Sequence, residues 1–94
     1  LGVGAVKRLD GEHGELKSMH TSAEARGRGV GAAMVQHLVA VAAAWGLGRL
    51  SLETGSGAAF EPARRLYERA GFHHCGPFAD YPDNPTSSFM TRAL

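Results

Sequence analysis

Polar and apolar residues alternate from Glu15 to Thr21, which predicts a strand with Glu15, Lys17, Met19 and Thr21 on one face. Leu16, Ser18 and His20 fall on the other face. Leu1 to Leu9 predicts a strand before it, and Asp10-Gly11-Glu12-His13-Gly14 is a turn, so the two should pair as an antiparallel hairpin. From Gly29 to Trp45 the period changes. Val30, Met34, Leu38, Val41 and Trp45 recur every three or four residues, the apolar stripe of one helix, which Gly46 and Gly48 end. Arg49 to Thr54 predicts a third strand, closed by Gly55-Ser56-Gly57. With a helix between them, the second and third strands should be parallel neighbours in a right-handed β-α-β unit.

A second helix is predicted from Phe60 to Ala70, where Phe60, Ala63, Tyr67 and Ala70 share a face with Leu66 beside them. Pro62 suits its first turn, and Gly71 supplies a left-handed residue past its end. Phe72 to Phe78 predicts another strand, Ala79 to Ser87 a proline-containing loop, and Ser88 to Leu94 a closing strand. The expected fold class is α/β, a mixed and mostly antiparallel sheet with a central β-α-β unit, flanked by two helices.

Composition narrows the function classes. Ninety-four residues make a single domain, 1–94, and at 44% hydrophobic and 20% charged the chain is an ordinary globular sequence. A formal charge of +1 argues against a nucleic-acid partner. The apolar run Leu38 to Trp45 is far short of the ~20 residues of a membrane-spanning helix. Cys75 is the single cysteine, which suits a reducing cytoplasm. Leu1 to Val6 reads as the middle of a strand, so the domain is expected to be incomplete at its N-terminal side.

The most informative stretch is Arg26-Gly27-Arg28-Gly29-Val30-Gly31, at the junction of strand and helix. Glycines there let the backbone approach a ligand closely. The first turn of a helix offers unpaired N–H groups and a partial positive charge, to which phosphates bind. The alternating glycines match neither a Walker loop nor a dinucleotide loop, and tight packing alone is the other reading of this stretch.

The order strand, Arg-x-x-Gly-x-Gly, helix, strand, helix and Leu-Tyr-Glu-Arg-x-Gly-Phe resembles the Gcn5-related N-acetyltransferase superfamily. Arg26 to Ala32 and Leu66 to Phe72 carry the likeness. It covers essentially the whole chain but only the second half or so of a full family domain. The early strand and two helices that wall the acceptor pocket have no counterpart here. The resemblance implies acetyl transfer from acetyl-coenzyme A, as acyl-donor substrate, to a small amine, without a metal. It implies that Arg26, Arg28, Gly29, Val30, Gly31 and Ala32 hold the pyrophosphate. It also implies that Met19 and Thr21 pair with the pantetheine amides through their main chain, where the central parallel strands splay apart. A homodimer is the expected assembly.

The chemistry needs three groups. An ammonium must shed a proton before it attacks, and Glu15 is the expected base, directly or through water; the alternative is a solvated hairpin carboxylate. The leaving thiolate needs a proton, which a phenol with pKa about 10 can supply at neutral pH. Tyr67 stands where the family has that tyrosine, and the alternative is a core-facing aromatic. The oxyanion of the intermediate needs an N–H donor, and the Met19 amide is the candidate. Many family members carry Asn where this chain has Phe60, which leaves that coenzyme contact in doubt. The rival to an enzyme is a non-catalytic acyl-coenzyme A binding or interaction half-domain.

His73-His74-Cys75 is a poor metal site, because neighbouring strand residues point to opposite faces. Cys75 as a nucleophile lacks a partner base. His20 and His37 are expected to be incidental, and Arg64, Arg65 and Arg69 to form a solvated helix face. The segment Asp80 to Pro85 either shapes an acceptor pocket or is a loop stiffened by two prolines.

Overall fold

The computed structural model describes residues 4–18, 30–79 and 81–94. Five strands form one sheet: β1 (Gly4–Arg8), β2 (His13–Ser18), β3 (Arg49–Gly55), β4 (His73–Cys75) and β5 (Ser87–Ala93). Two α-helices accompany it, α1 (Val30–Ala44) and α2 (Glu61–Arg69), the latter entered through a short 3-10 turn at Ala58–Phe60. The strand order is β1-β2-β3-β5-β4. β1 pairs antiparallel with β2, β2 parallel with β3, and β5 antiparallel with both β3 and β4. The mixed, mostly antiparallel sheet with a central β-α-β unit is therefore as the sequence predicts.

Period-two alternation sorts the sheet into two faces. Leu16, Leu50, Leu52 and Met90 point one way and form the core with Val35, Leu38 and Ala42 of α1, Tyr67 of α2, and Ala70 and Phe72 beyond it. Both helices thus cover the same face. The other face carries His13, Glu15 and Lys17 of β2, Ser51 of β3, and Phe89 and Thr91 of β5.

The stripe of α1 differs from the predicted one. Val35, Leu38 and Ala42 are buried and Met34 is only partly so, while Trp45 is 45% exposed. Apolar residues surround most of this helix, so periodicity could not choose which arc faces inward. Trp45 lies outside because Arg8 claims it: Nη2 of Arg8 donates to the Trp45 carbonyl at 3.0 Å, and the guanidinium lies 5.9 Å from the ring centroid. Phe60 is also exposed, with its ring packed over Gly55. β4 is shorter than the predicted Phe72 to Phe78, because the chain leaves the sheet after Cys75 and folds back over the helix-free face.

Gly71 closes α2 with φ +94°, and a Cβ there would also crowd the Arg92 side chain at 3.4 Å. Gly71→Ala should lower stability by about 1–2 kcal/mol, the cost of a left-handed backbone for a residue with a Cβ. Gly76→Ala, where a Cβ meets open space, should be close to neutral in the same urea titration.

Candidate active site

The parallel ladder between β2 and β3 is short. It runs through His13↔Arg49, Gly14↔Leu50 and Glu15↔Ser51. β2 continues to Ser18 and β3 to Gly55, so the two strands part beyond Glu15 and Ser51. On its far side β3 stays paired with β5 from Arg49 to Gly55. The fork therefore opens by β2 turning away from a fixed β3. An extended amide chain can pair with main-chain groups on the inner edges of such a fork.

Glu15 sits at the mouth of this fork and is only 3% exposed. A solvated hairpin carboxylate is thereby excluded. The Tyr81 hydroxyl donates to Glu15 Oε2 at 2.5 Å, and Lys17 Nζ lies 3.2 Å from the same oxygen. Lys17 also donates to the Tyr81 oxygen at 2.9 Å, and its ammonium stands 5.5 Å from the Tyr81 ring centroid. These contacts hold Lys17 above the ordinary lysine pKa, with the Tyr81 bond the larger cause and Glu15 next. The Tyr81 phenol is raised too, chiefly because its proton is shared with the Glu15 carboxylate.

Tyr81 reaches Glu15 because the segment after β4 lies on the helix-free face. Phe78 stacks edge-on against Phe89 and Tyr81 at 5.8 and 5.3 Å, and Tyr81 meets Phe89 at 5.7 Å. His13 flanks the group, 5.8 Å from Phe78. Its Nε2 is 2.6 Å from Ser51 Oγ, which is 2.8 Å from Thr91 Oγ1, which accepts from Arg49 at 3.0 Å. From the segment after β4, Tyr81 is thereby seated against Glu15. Neither Tyr81 nor the His13–Ser51 contact is visible in local periodicity; an aromatic in an otherwise polar loop was the one available signal.

Tyr67 is 6% exposed and packs edge-on against Phe72 at 6.0 Å. It belongs to the core face, so Glu15 and Tyr67 lie on opposite faces of the sheet. Val30, Gly31 and Ala32 form the first described turn of α1. Ala32 also lines, with Gln36, Leu66, Arg69 and Ala70, a cleft of ≈ 100 Å³ between the helices. Met19, Thr21, Arg26, Arg28 and Gly29 lie outside the described residues. Arg64 is not part of a solvated face. Its Nη1 donates to the carbonyls of Gly55 and Gly57 at 2.7 and 2.9 Å, tying the end of β3 to α2. Burial pushes the Cys75 thiol up, away from the reactive thiolate. Among the described residues, no group of three His, Cys, Asp or Glu side chains could hold a metal ion.

The family model of the acetyltransferase (GNAT) family matches residues 1–72. The chain belongs to this family. YsnE of Bacillus subtilis, named an uncharacterized N-acetyltransferase, is 56% identical over 93 residues, covering 99% of this chain and 62% of YsnE. A Klebsiella pneumoniae structure described as an acyl-CoA N-acyltransferase superposes with a TM-score of 0.89 at 32% identity, covering 99% of this chain and 63% of that one. A GNAT family acetyltransferase from Elizabethkingia anophelis, solved with acetyl-CoA bound, shares the fold with a TM-score of 0.79 at 21% identity, over 99% of this chain and 68% of its own. The chain spans about three fifths of the length of the curated relatives it matches.

Two outcomes follow for the Glu15 cluster. Tyr81→Phe should destabilise the fold by about 1.5–3 kcal/mol in urea titrations, because it removes a hydrogen bond to a buried charged group. Lys17 has a raised folded-state pKa, so its contribution is fully present below the ordinary lysine value of 10.5 and lost as pH climbs through the raised one. Stability should therefore fall at alkaline pH in the wild type, and Lys17→Met should lose less of it, keeping only the fall that follows the raised Tyr81 phenol.

Proposed function

We propose that this GNAT chain takes part in acetyl transfer from acetyl-coenzyme A to a primary amine of a small molecule, with both substrates bound together. A protein acceptor is less favoured. The fork after Glu15↔Ser51 carries the reading, since the buried Glu15 carboxylate stands at its mouth on the helix-free face; Tyr67, on the core face, is the acid of this reading. A thioester lying in the fork would meet a base from the helix-free side and an acid from the core side.

In this reading Glu15 takes a proton from the acceptor ammonium, directly or through one water. The amine nitrogen then bonds to the thioester carbonyl carbon, and the Met19 amide donates to the resulting oxyanion. As the carbon–sulfur bond breaks, Tyr67 gives its phenolic proton to the departing thiolate, and the nitrogen sheds its second proton to solvent, from which Tyr67 regains one. Main-chain groups of Met19 and Thr21 would pair with the pantetheine arm. Arg26, Arg28, Gly29, Val30, Gly31 and Ala32 would hold the pyrophosphate at the start of α1. The reading invokes no metal, places the protein in the cytoplasm and expects a homodimer.

A second reading is an acyl-coenzyme A binding half-domain without turnover, favoured by the three-fifths span alone. Calorimetry with acetyl-coenzyme A, joined to an assay of small-amine acetylation, separates the two. The expected result is one-to-one binding that Gly29→Glu abolishes, with turnover. Tyr67→Phe should keep the binding and lower kcat by about 10²–10⁴, the usual worth of a positioned acid. Binding without turnover of any amine would leave the half-domain reading, and no binding by a folded chain would sink both.

A further inference from the structure

A primary ammonium already occupies the mouth of the fork. Lys17 Nζ is held by the Glu15 carboxylate at 3.2 Å, by the Tyr81 hydroxyl at 2.9 Å, and over the Tyr81 ring at 5.5 Å. An anionic oxygen, a neutral oxygen and an aromatic face are together what an alkylammonium ion requires of a binding site. The carboxylate anchor differs sharply from the occupant. Glu15 is 4% exposed in its side chain, whereas Lys17 is 47% exposed. The receptor is fixed and the ammonium stands on its solvent side, at the end of a flexible four-carbon stem.

We propose that Glu15 and Tyr81 form an alkylammonium subsite for the acceptor, and that Lys17 is its resident competitor, which the acceptor's ammonium displaces. The inference rests on placing Glu15 at the acceptor end of the fork. It narrows the acceptor to amines that are cationic at neutral pH. Replacing one ammonium by another leaves the buried Glu15 carboxylate with the same charge partner and the same donors. A neutral acceptor, such as an aniline or an alcohol, would leave it with one charge partner fewer, and an unpaired buried charge is costly. Lys17 can leave without breaking the fold, because its stem has solvent to turn into and Tyr81 retains its bond to Glu15.

Lys17→Ala removes the side chain beyond Cβ, a piece that n-propylammonium matches in length and charge. In NMR titrations of the full chain, n-propylammonium should bind Lys17→Ala about tenfold or more tighter than wild type. The gain should vanish in Lys17→Ala/Glu15→Gln, and n-propanol should show no such gain. Lys17→Met, which keeps the stem, repeats the test with the ammonium ion should the alanine variant not fold. A gain that survives Glu15→Gln, or no gain in a folded variant, overturns the inference. These titrations need no acetyl-coenzyme A. Ammonium binding by a chain that fails to bind the donor would therefore sink only the acetyl-transfer reading. Where turnover is measured, Lys17→Ala should lower KM for an alkylamine and leave KM for acetyl-coenzyme A in place; the reverse split counts against a competitor at the acceptor end.

Discussion

Everything distinctive about this molecule hangs on how β3 is held. On one side it is paired with β5 along its whole length, residue by residue from Arg49 to Gly55. On the other it meets β2 for three pairs only. The antiparallel pairing with β5 occupies the far edge of β3 from end to end, so β2 and β3 part where the shorter, parallel ladder ends. The fork is thus a property of unequal pairing on the two sides of one strand. The core face reinforces it, because Leu50 and Leu52 are packed under α1 and α2 and cannot follow β2.

The helix-free face solves a different problem, that of a carboxylate taken out of water. Burying Glu15 demands donors, and they come from two distances along the chain. Lys17 lies two residues away on the same strand face, while Tyr81 arrives from a segment sixty-six positions later. The aromatic rings of Phe78 and Phe89 seat that segment, so hydrophobic packing positions a polar contact. Tyr81 thus satisfies the carboxylate and also roofs it.

Much of the fold was legible because its signals are local. The hairpin, the two helices, the glycine exits at Gly46 and Gly71 and the parallel pairing across α1 all follow from periodicity and turn chemistry within short windows. The misreadings have a common cause in tertiary competition. Trp45 looked like a core residue until Arg8, from another element, supplied a surface partner for both its ring and its carbonyl. Arg64 looked solvated until its guanidinium met two carbonyls at the end of β3. Glu15 was singled out by its place on a strand, and Tyr67 by its place in a motif. Tyr81 was missed as a partner because nothing in its own neighbourhood announces a contact with residue 15.

The position of β5 has a consequence for how the chain assembles. It is the last strand in sequence, yet it lies between β3 and β4 rather than at a margin. Until it inserts, β4 has no neighbour in the sheet and β3 has only the three-pair ladder. Residues 13–55 can zip the β-α-β unit from contacts of modest separation, but completing the sheet must wait for the closure of a long loop. During synthesis the β-α-β side of the fork can therefore take shape while the roof over Glu15 is still being made. The carboxylate enters its buried state late, as the final strand slots in and draws Tyr81 down with it.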